Sequence, residues 1–510
     1  MRVELLVSHW CPTCPAAEAV WRQVAAERAI DFALVDVSKP EGREIVTRLN
    51  VRSIPASVID GVLQAVGVPS VEAARGLVAA APPRGAAAAP AAAPHDASPA
   101  APRVDLRVTL RLLGRVAHRF YFLLGAVQAV AVMLWWLADL GGRYAGLYAP
   151  LAWSVPPPWA HAYLMTYTIF PFFMFGFLMT AMPNWTGEAM PQRAHLYAGV
   201  PMALGVVLLY AGFATAAGVA LAGVALLVAG WLVGVGILAS VVVANRGRDP
   251  SALWLTALMG VGALAAAAFG VWLATGEPLY ASVSRHAGIW LFLVPAFLTI
   301  EHRLVPFFSS RVIEGYALYR PQWSLPLLGA AAAAHCALEL AGARAWLWLA
   351  DAPMAAWVGF LAVKWGLKGS FRARLLVMLH LGVVAGAVAF ALYAADSLAA
   401  AAGAPGALGL APLHALTIGY FAATSVAMVS RVSLGHSGRA LEADALTWWV
   451  FLGLLATAAV RALADLWFVP PALRLWLSLA AAVLWLAVLA PWAARYVPIY
   501  LLPRADGRPG

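Results

Sequence analysis

The sequence predicts two folds in one chain: a small α/β domain over residues 1–80 and an all-α polytopic membrane body of about twelve helices over residues 104–500. Three observations carry this. An apolar strand-like run, Val3–Ser8, leads into Cys11-Pro-Thr-Cys14 and then a helical pattern. About a dozen later runs are apolar for long enough to cross the ~30 Å hydrocarbon core as helices. The chain is also 63% hydrophobic and only 11% charged, whereas soluble domains carry about 25% charged residues.

The elements follow in order. Val3–Ser8 reads as a buried strand and residues 14–28 as a helix. Asp31–Val37 is a second strand and residues 40–50 a second helix. Ser53-Ile54-Pro55-Ala56 leads into the apolar run Ser57–Ile59, Gly61 marks a hairpin to Leu63–Val66, and a helix over 70–80 closes the domain. Residues 81–103 are an Ala/Pro low-complexity tether that keeps the head spaced from the body. Apolar runs then fall at 118–140, 160–182, 196–217, 219–244, 252–274, 285–307, 323–342, 345–367, 374–396, 405–430, 446–468 and 473–496, followed by a tail over 501–510.

Loop charges set the orientation. With the N-terminus inside, the inner loops hold Arg107, Arg111, Arg115, Arg119, Arg193, Arg246, Arg248, Arg311, Arg320, Lys368, Arg372, Arg374, Arg439, Arg504 and Arg508. The outer ones hold only Arg143, Arg285, Arg344 and Arg474. The positive-inside rule therefore places both termini, and the dithiol, on the cytoplasmic side. It also accounts for the net charge of +10 without a nucleic-acid partner. Residues 1–20 lack a charged-then-apolar leader and are expected to begin a domain directly. Three cysteines, two of them in the CxxC, suit a cytosolic redox motif rather than a disulfide-stapled fold.

Chemistry concentrates in two places. Cys11, where a strand gives way to a helix, is placed for a stabilised thiolate, and Cys14 is placed to resolve a mixed disulfide. Metal handling by the pair is the alternative. Within the spans, ionisable residues are functional suspects. His161, His286 and His414 fall near the outer side; His302, His380 and His436 fall near the inner side, His302 ~24 Å below His286 at 1.5 Å per residue. Imidazoles from facing helices suit a b-type haem or a copper ion, with His161, His380 and His414 the metal candidates. His335 beside Cys336 sits among alanines. Glu301-His302-Arg303 is a candidate clamp for a cofactor's acidic groups, and Arg461 and Asp465, four apart, pair on one helix face.

The order of elements in the head, with CxxC after strand one and Ile54-Pro55 before strand three, resembles the thioredoxin/glutaredoxin fold. The resemblance implies that Pro55 is cis and faces the dithiol. The body shows His161-Ala162-Tyr163-Leu164-Met165, Pro183-Asn184-Trp185-Thr186-Gly187, Arg303-Leu304-Val305-Pro306, Leu379-His380-Leu381-Gly382, Leu413-His414-Ala415-Leu416-Thr417 and the stretch Ser430–Arg439, SRVSLGHSGR. Over about residues 118–496 it resembles the NnrS family of polytopic membrane proteins. That family is associated with haem, copper and bacterial responses to nitric oxide and nitrosative stress, and the resemblance implies a bacterial inner (cytoplasmic) membrane and functional roles for His161, His380, His414 and His436. The sequence departs from the family's span-two motif, His-Ala-His-Glu-Met, at Tyr163 and Leu164.

Together these lead to an expected haem-binding, possible copper-binding membrane protein of nitrosative or redox stress. Nitric oxide or an S-nitrosothiol would be its ligand or substrate, and a cytosolic thiol protein would be the partner of its dithiol. The alternatives are a copper or small-solute transporter with the CxxC as its metal or redox gateway, and a thiol oxidoreductase exchanging electrons with quinone.

Overall fold

In the computed structural model, residues 1–8, 11, 13–37, 40–49, 51, 54–83 and 105–506 are described. The 81–103 tether lies outside them from residue 84 onward. Contacts divide the chain into one unit over Met1–Ala101 and another over Pro102–Gly510.

The first unit runs β1 (Arg2–Val7), α1 (Cys14–Glu27), β2 (Asp31–Asp36), α2 (Pro40–Arg48), β3 (Ala56–Ile59), β4 (Val62–Val66) and α3 (Val71–Leu77). The sheet order is β2-β1-β3-β4, with β1 parallel to β2 and antiparallel to β3. Fully buried Val3, Leu5, Ala17, Trp21 and Val24 pack α1 against the sheet, and the Trp21 indole N–H donates to Ser57 Oγ at 2.9 Å. Such a partner is what a buried indole needs. A hydrogen-bonded Glu27–Arg75 pair joins α1 to α3, and that bond holds the Glu27 carboxyl below its usual range.

The second unit opens with α4 (Leu106–Arg115), a short helix not expected from the sequence. Asp105 caps it by accepting from the Arg107 and Val108 N–H groups. Arg107, Arg111 and Arg115, four apart, lie on its exposed side, while Thr109 and Leu112 are buried.

Among the described residues, eleven helices are long and apolar enough to cross a membrane. A twelfth, Ser324–Leu340, has 17 residues, or about 25 Å at 1.5 Å per residue. In chain order the spans are 1 (Ala117–Arg143), 2 (Pro157–Thr186), 3 (Ala194–Thr215), 4 (Ala217–Ala244), 5 (Pro250–Thr275), 6 (Pro278–Val312), 7 (Ser324–Leu340), 8 (Arg344–Lys364), 9 (Arg374–Ala401), 10 (Ala411–His436), 11 (Ala445–Leu463) and 12 (Pro471–Leu501).

Spans 2, 6 and 10 form the interior: 83%, 78% and 78% of their most apolar windows are buried, against 61% or less in the other long spans. All three depart from regular α-helix. Span 2 breaks at Thr168–Ile169, because the Pro171 ring has no N–H and clashes with the Tyr167 carbonyl one turn earlier. Gln128 covers the break, its Nε2 donating to Thr168 Oγ1 and to the Tyr210 hydroxyl. Span 6 widens to π-helix over Gly288–Leu293 just before Pro295, and span 10 does so over Ala415–Ala422 directly after His414. Such wide turns concentrate at functional sites. Breaks two and six meet: the Tyr167 hydroxyl donates to the Ser284 carbonyl at 2.6 Å, and a Cβ on Gly288 would lie only 2.2 Å from that hydroxyl.

Spans 3 and 4 touch through backbone. A Cβ on Gly205 would lie 2.5 Å from the Leu227 nitrogen and 2.8 Å from the Gly223 carbonyl oxygen, the small-residue contact typical of membrane helices. Gly205→Leu is therefore expected to cost roughly 1–3 kcal/mol through overpacking, seen as a lower unfolding temperature in detergent. An unchanged unfolding temperature would contradict this packing.

Candidate functional site

In the head, Cys11 and Cys14 form a disulfide with Cα atoms 5.4 Å apart, and the Ile54–Pro55 bond is cis. Cys14 is the first residue of α1 and is buried; Cys11 stands three residues ahead of it, half-exposed, its N–H bonded to the Ser8 carbonyl. The helix N-terminus therefore lies under Cys14, with Cys11 in the turn above. The exposed sulfur is the one a partner can reach.

In the body, up-and-down threading brings the N-terminal ends of spans 2, 6, 8 and 10 to one end of the bundle. His161 and His414 are there, close enough to each other and to Arg461 to feel one another's charge. The His161 ring stacks on Trp136 at 4.1 Å, and its buried Nδ1 has no hydrogen-bond partner. His414 Nδ1 is held by Asp465 Oδ2 at 3.1 Å and by the Leu410 carbonyl at 3.0 Å, and Arg461 clamps the same carboxylate at 2.6 Å. The Arg461–Asp465 pair is thus the support of a histidine as well as a helix-face pair. A carboxylate on one imidazole nitrogen aims the other outward, the arrangement that orients metal-bound histidines.

His286 belongs elsewhere. Its Nε2 accepts from Arg285 at 2.9 Å, and it lies near His335 and Arg344. The inner-side histidines are also dispersed. His302 Nε2 bonds the Pro321 carbonyl at 3.1 Å, and His380 Nε2 bonds Ser309 Oγ at 2.9 Å. His436 faces His118 of span 1, ring centroids 4.8 Å apart. His302, His380 and His436 therefore do not form one set, because spans 6, 9 and 10 turn them toward different neighbours. Among the described residues, no three His, Cys, Asp or Glu side chains converge as a metal with three protein ligands needs.

Two cavities lie between the interior spans. One is lined by Phe122, Phe170, Phe173, Phe297 and Met428 with a single acid, Glu301. Glu301 accepts from the Tyr420 hydroxyl at 2.7 Å and from Thr424 at 3.5 Å. Its neighbour Arg303 turns away, bonding both Asp249 oxygens and covering Trp185. The second cavity is lined by Phe177, Thr180, Asn184, Trp185 and His436. The Asn184-Trp185 and Ser430–Arg439 stretches thus meet at one cavity.

Sequence reasoning gave no weight to His118, little to His335, and noted Tyr163 only as a departure from the family's span-two motif. Tyr163 is buried with an unpartnered hydroxyl, and His335 Nδ1 lies 2.7 Å from Asp351 Oδ1. The signal available for His335 was the acid four residues on, Glu339.

Comparison with known proteins divides the chain at the same place. A family model described as NnrS protein matches residues 113–504, and one described as a thioredoxin domain matches residues 1–79. A thioredoxin of Methanocaldococcus jannaschii is 30% identical over 73 residues, 14% of this chain and 86% of the relative. A probable thioredoxin of Archaeoglobus fulgidus is 34% identical over 67 residues, 13% and 74% of the two chains. Among solved structures, a heme-copper terminal oxidase dimer matches with a TM-score of 0.46 at 12% identity, covering 79% of this chain and 85% of that one.

Proposed function

We propose that this chain, which belongs to the NnrS family of membrane proteins and carries a thioredoxin-domain head, is an inner-membrane redox protein of the response to nitric oxide or nitrosative stress. The observation that carries the reading is that two histidines stand at one end of the bundle, His161 with an orphaned buried Nδ1 and His414 backed by Asp465. These imidazoles would hold a b-type haem or a copper ion. A metal there would supply a binding position for nitric oxide.

The chain's own residues do the rest. Trp136, stacked on the His161 face, fixes that ring while leaving its nitrogen edges free. Asp465 and Arg461 fix the tautomer of His414. Nitric oxide is apolar and partitions into lipid, and the Phe-lined cavity between the interior spans offers it a low-dielectric space. In the reduced head, the Cys11 thiolate attacks a partner's disulfide sulfur and expels one partner thiolate. Cys14 then attacks Cys11, closing the Cys11–Cys14 bond and expelling the second, so two electrons pass to the partner. With an S-nitrosothiol, Cys11 takes the nitroso group and frees the thiol. Arginines at the opposite end of the bundle, Arg119, Arg439 and Arg504, suit a cytoplasmic placement of both termini.

Cells expressing His161→Ala/His414→Ala in place of the native chain are expected to recover growth later than wild type after a nitric oxide donor. Equal recovery at equal protein level would reject the stress role. The broken spans 2, 6 and 10 favour one second reading, since discontinuous helices build the midplane sites of transporters. It predicts a change in cellular copper accumulation when the chain is removed, which the first reading does not.

A further inference from the structure

We propose that His335 and Glu339 form a binding site for one divalent transition-metal ion of the zinc class, separate from the His161–His414 pair. Both ligands stand on span 7, four residues apart and so on one helix face. His335 Nε2 and Glu339 Oε1 are 4.0 Å apart. A tetrahedral zinc ion holds its nitrogen and oxygen ligands roughly 3.3–3.4 Å apart, so a small rotation of the Glu339 carboxylate toward His335 closes the gap.

The site is built. His335 is fully buried, its ring held against Trp290 at 3.4 Å and edge-on to Tyr393 at 5.1 Å. Asp351 of span 8, also fully buried, takes Nδ1 at 2.7 Å, as a carboxylate does behind a metal-bound imidazole. Nε2 then has no hydrogen-bond partner, nor has Asp351 Oδ2. A purely structural histidine–aspartate pair would not leave two buried polar atoms unsatisfied at about 1–3 kcal/mol each. Nε2 is therefore an aimed, unused donor.

The surrounding charge is balanced. Arg344 lies 3.6 Å from Glu339 Oε2, the oxygen facing away from His335, and its own side chain is 64% exposed, so solvent screens it. Arg285 and His286, on span 6, bond each other. Cys336, on the next helix position, is buried and free. Glu339 is 11% exposed near the end of span 7, which gives an ion its route from solvent. Two protein ligands leave the remaining positions to water, fewer ligands than the four of a closed structural site, so the ion would exchange with solution.

The test uses the full chain in detergent, stripped with chelator and titrated with zinc(II) against a competing indicator. Wild type and His161→Ala/His414→Ala should each bind the same tight equivalent at this site. His335→Gln and Glu339→Gln should lose that equivalent, and Asp351→Asn should weaken it about 10–100-fold. Glu339→Gln keeps the shape and volume of the side chain while removing its charge, so it keeps the test decisive if His335→Gln folds poorly. Equal zinc binding by wild type and Glu339→Gln, or a tight equivalent lost in His161→Ala/His414→Ala instead, would overturn the proposal.

Discussion

Exchanging His161 and His414 together for alanine is expected to empty the outer site: haem or copper bound per protein, measured by pyridine haemochrome and elemental analysis, falls to background. The expectation follows from how each ring is held. Trp136 stacking and the Asp465–Arg461 clamp immobilise the two imidazoles, so little ordering cost remains on binding. Removing both removes the donors themselves. Asp465→Asn should act more gently. It keeps both rings but frees the His414 tautomer, and losses of such supporting carboxylates cost about 10–100-fold in affinity. A double variant that keeps its full complement would move the ligands elsewhere, with His118–His436 the next pair to test.

The second large effect lies in the head. Cys11→Ser/Cys14→Ser is expected to lose all thiol–disulfide exchange, assayed as reduction of a protein disulfide by the full chain. Cys14→Ser alone should accumulate mixed disulfides, because Cys11 is half-exposed and able to attack while its resolving partner is gone. Cys11→Ser alone should trap none, since Cys14 is buried at the start of α1. Equal trapping by the two single variants would contradict this division of labour. Haem or copper content should not change in either, as the dithiol and the imidazoles belong to different units.

Much of this architecture could be read from local pattern. The head's strands and helices are short-range signals, and CPTC ahead of an apolar helix marks α1. Span positions follow from apolar length alone, and Pro171 and Pro295 announce where spans 2 and 6 break. Arg107, Arg111 and Arg115 read as loop charge, yet their four-residue spacing was the signal for α4.

What escaped depends on contacts distant in sequence. His118 and His436 are 318 positions apart and meet only because spans 1 and 10 are neighbours. Asp351 finds His335 across the 341–343 turn through a helix pairing that periodicity does not encode. Depth placed His286 with His161 and His414, but depth says nothing about rotation around a helix axis, and span 6 turns His286 toward Arg285 and His335. The same limit grouped His302, His380 and His436 by height when each faces a different partner.

The most direct test of the central claim is the visible spectrum of the purified protein, oxidised and dithionite-reduced, before and after nitric oxide. The account predicts sharp reduced Soret and α bands that shift on adding the gas and vanish in His161→Ala/His414→Ala. A featureless spectrum after haem-replete expression, with no copper bound, would contradict it.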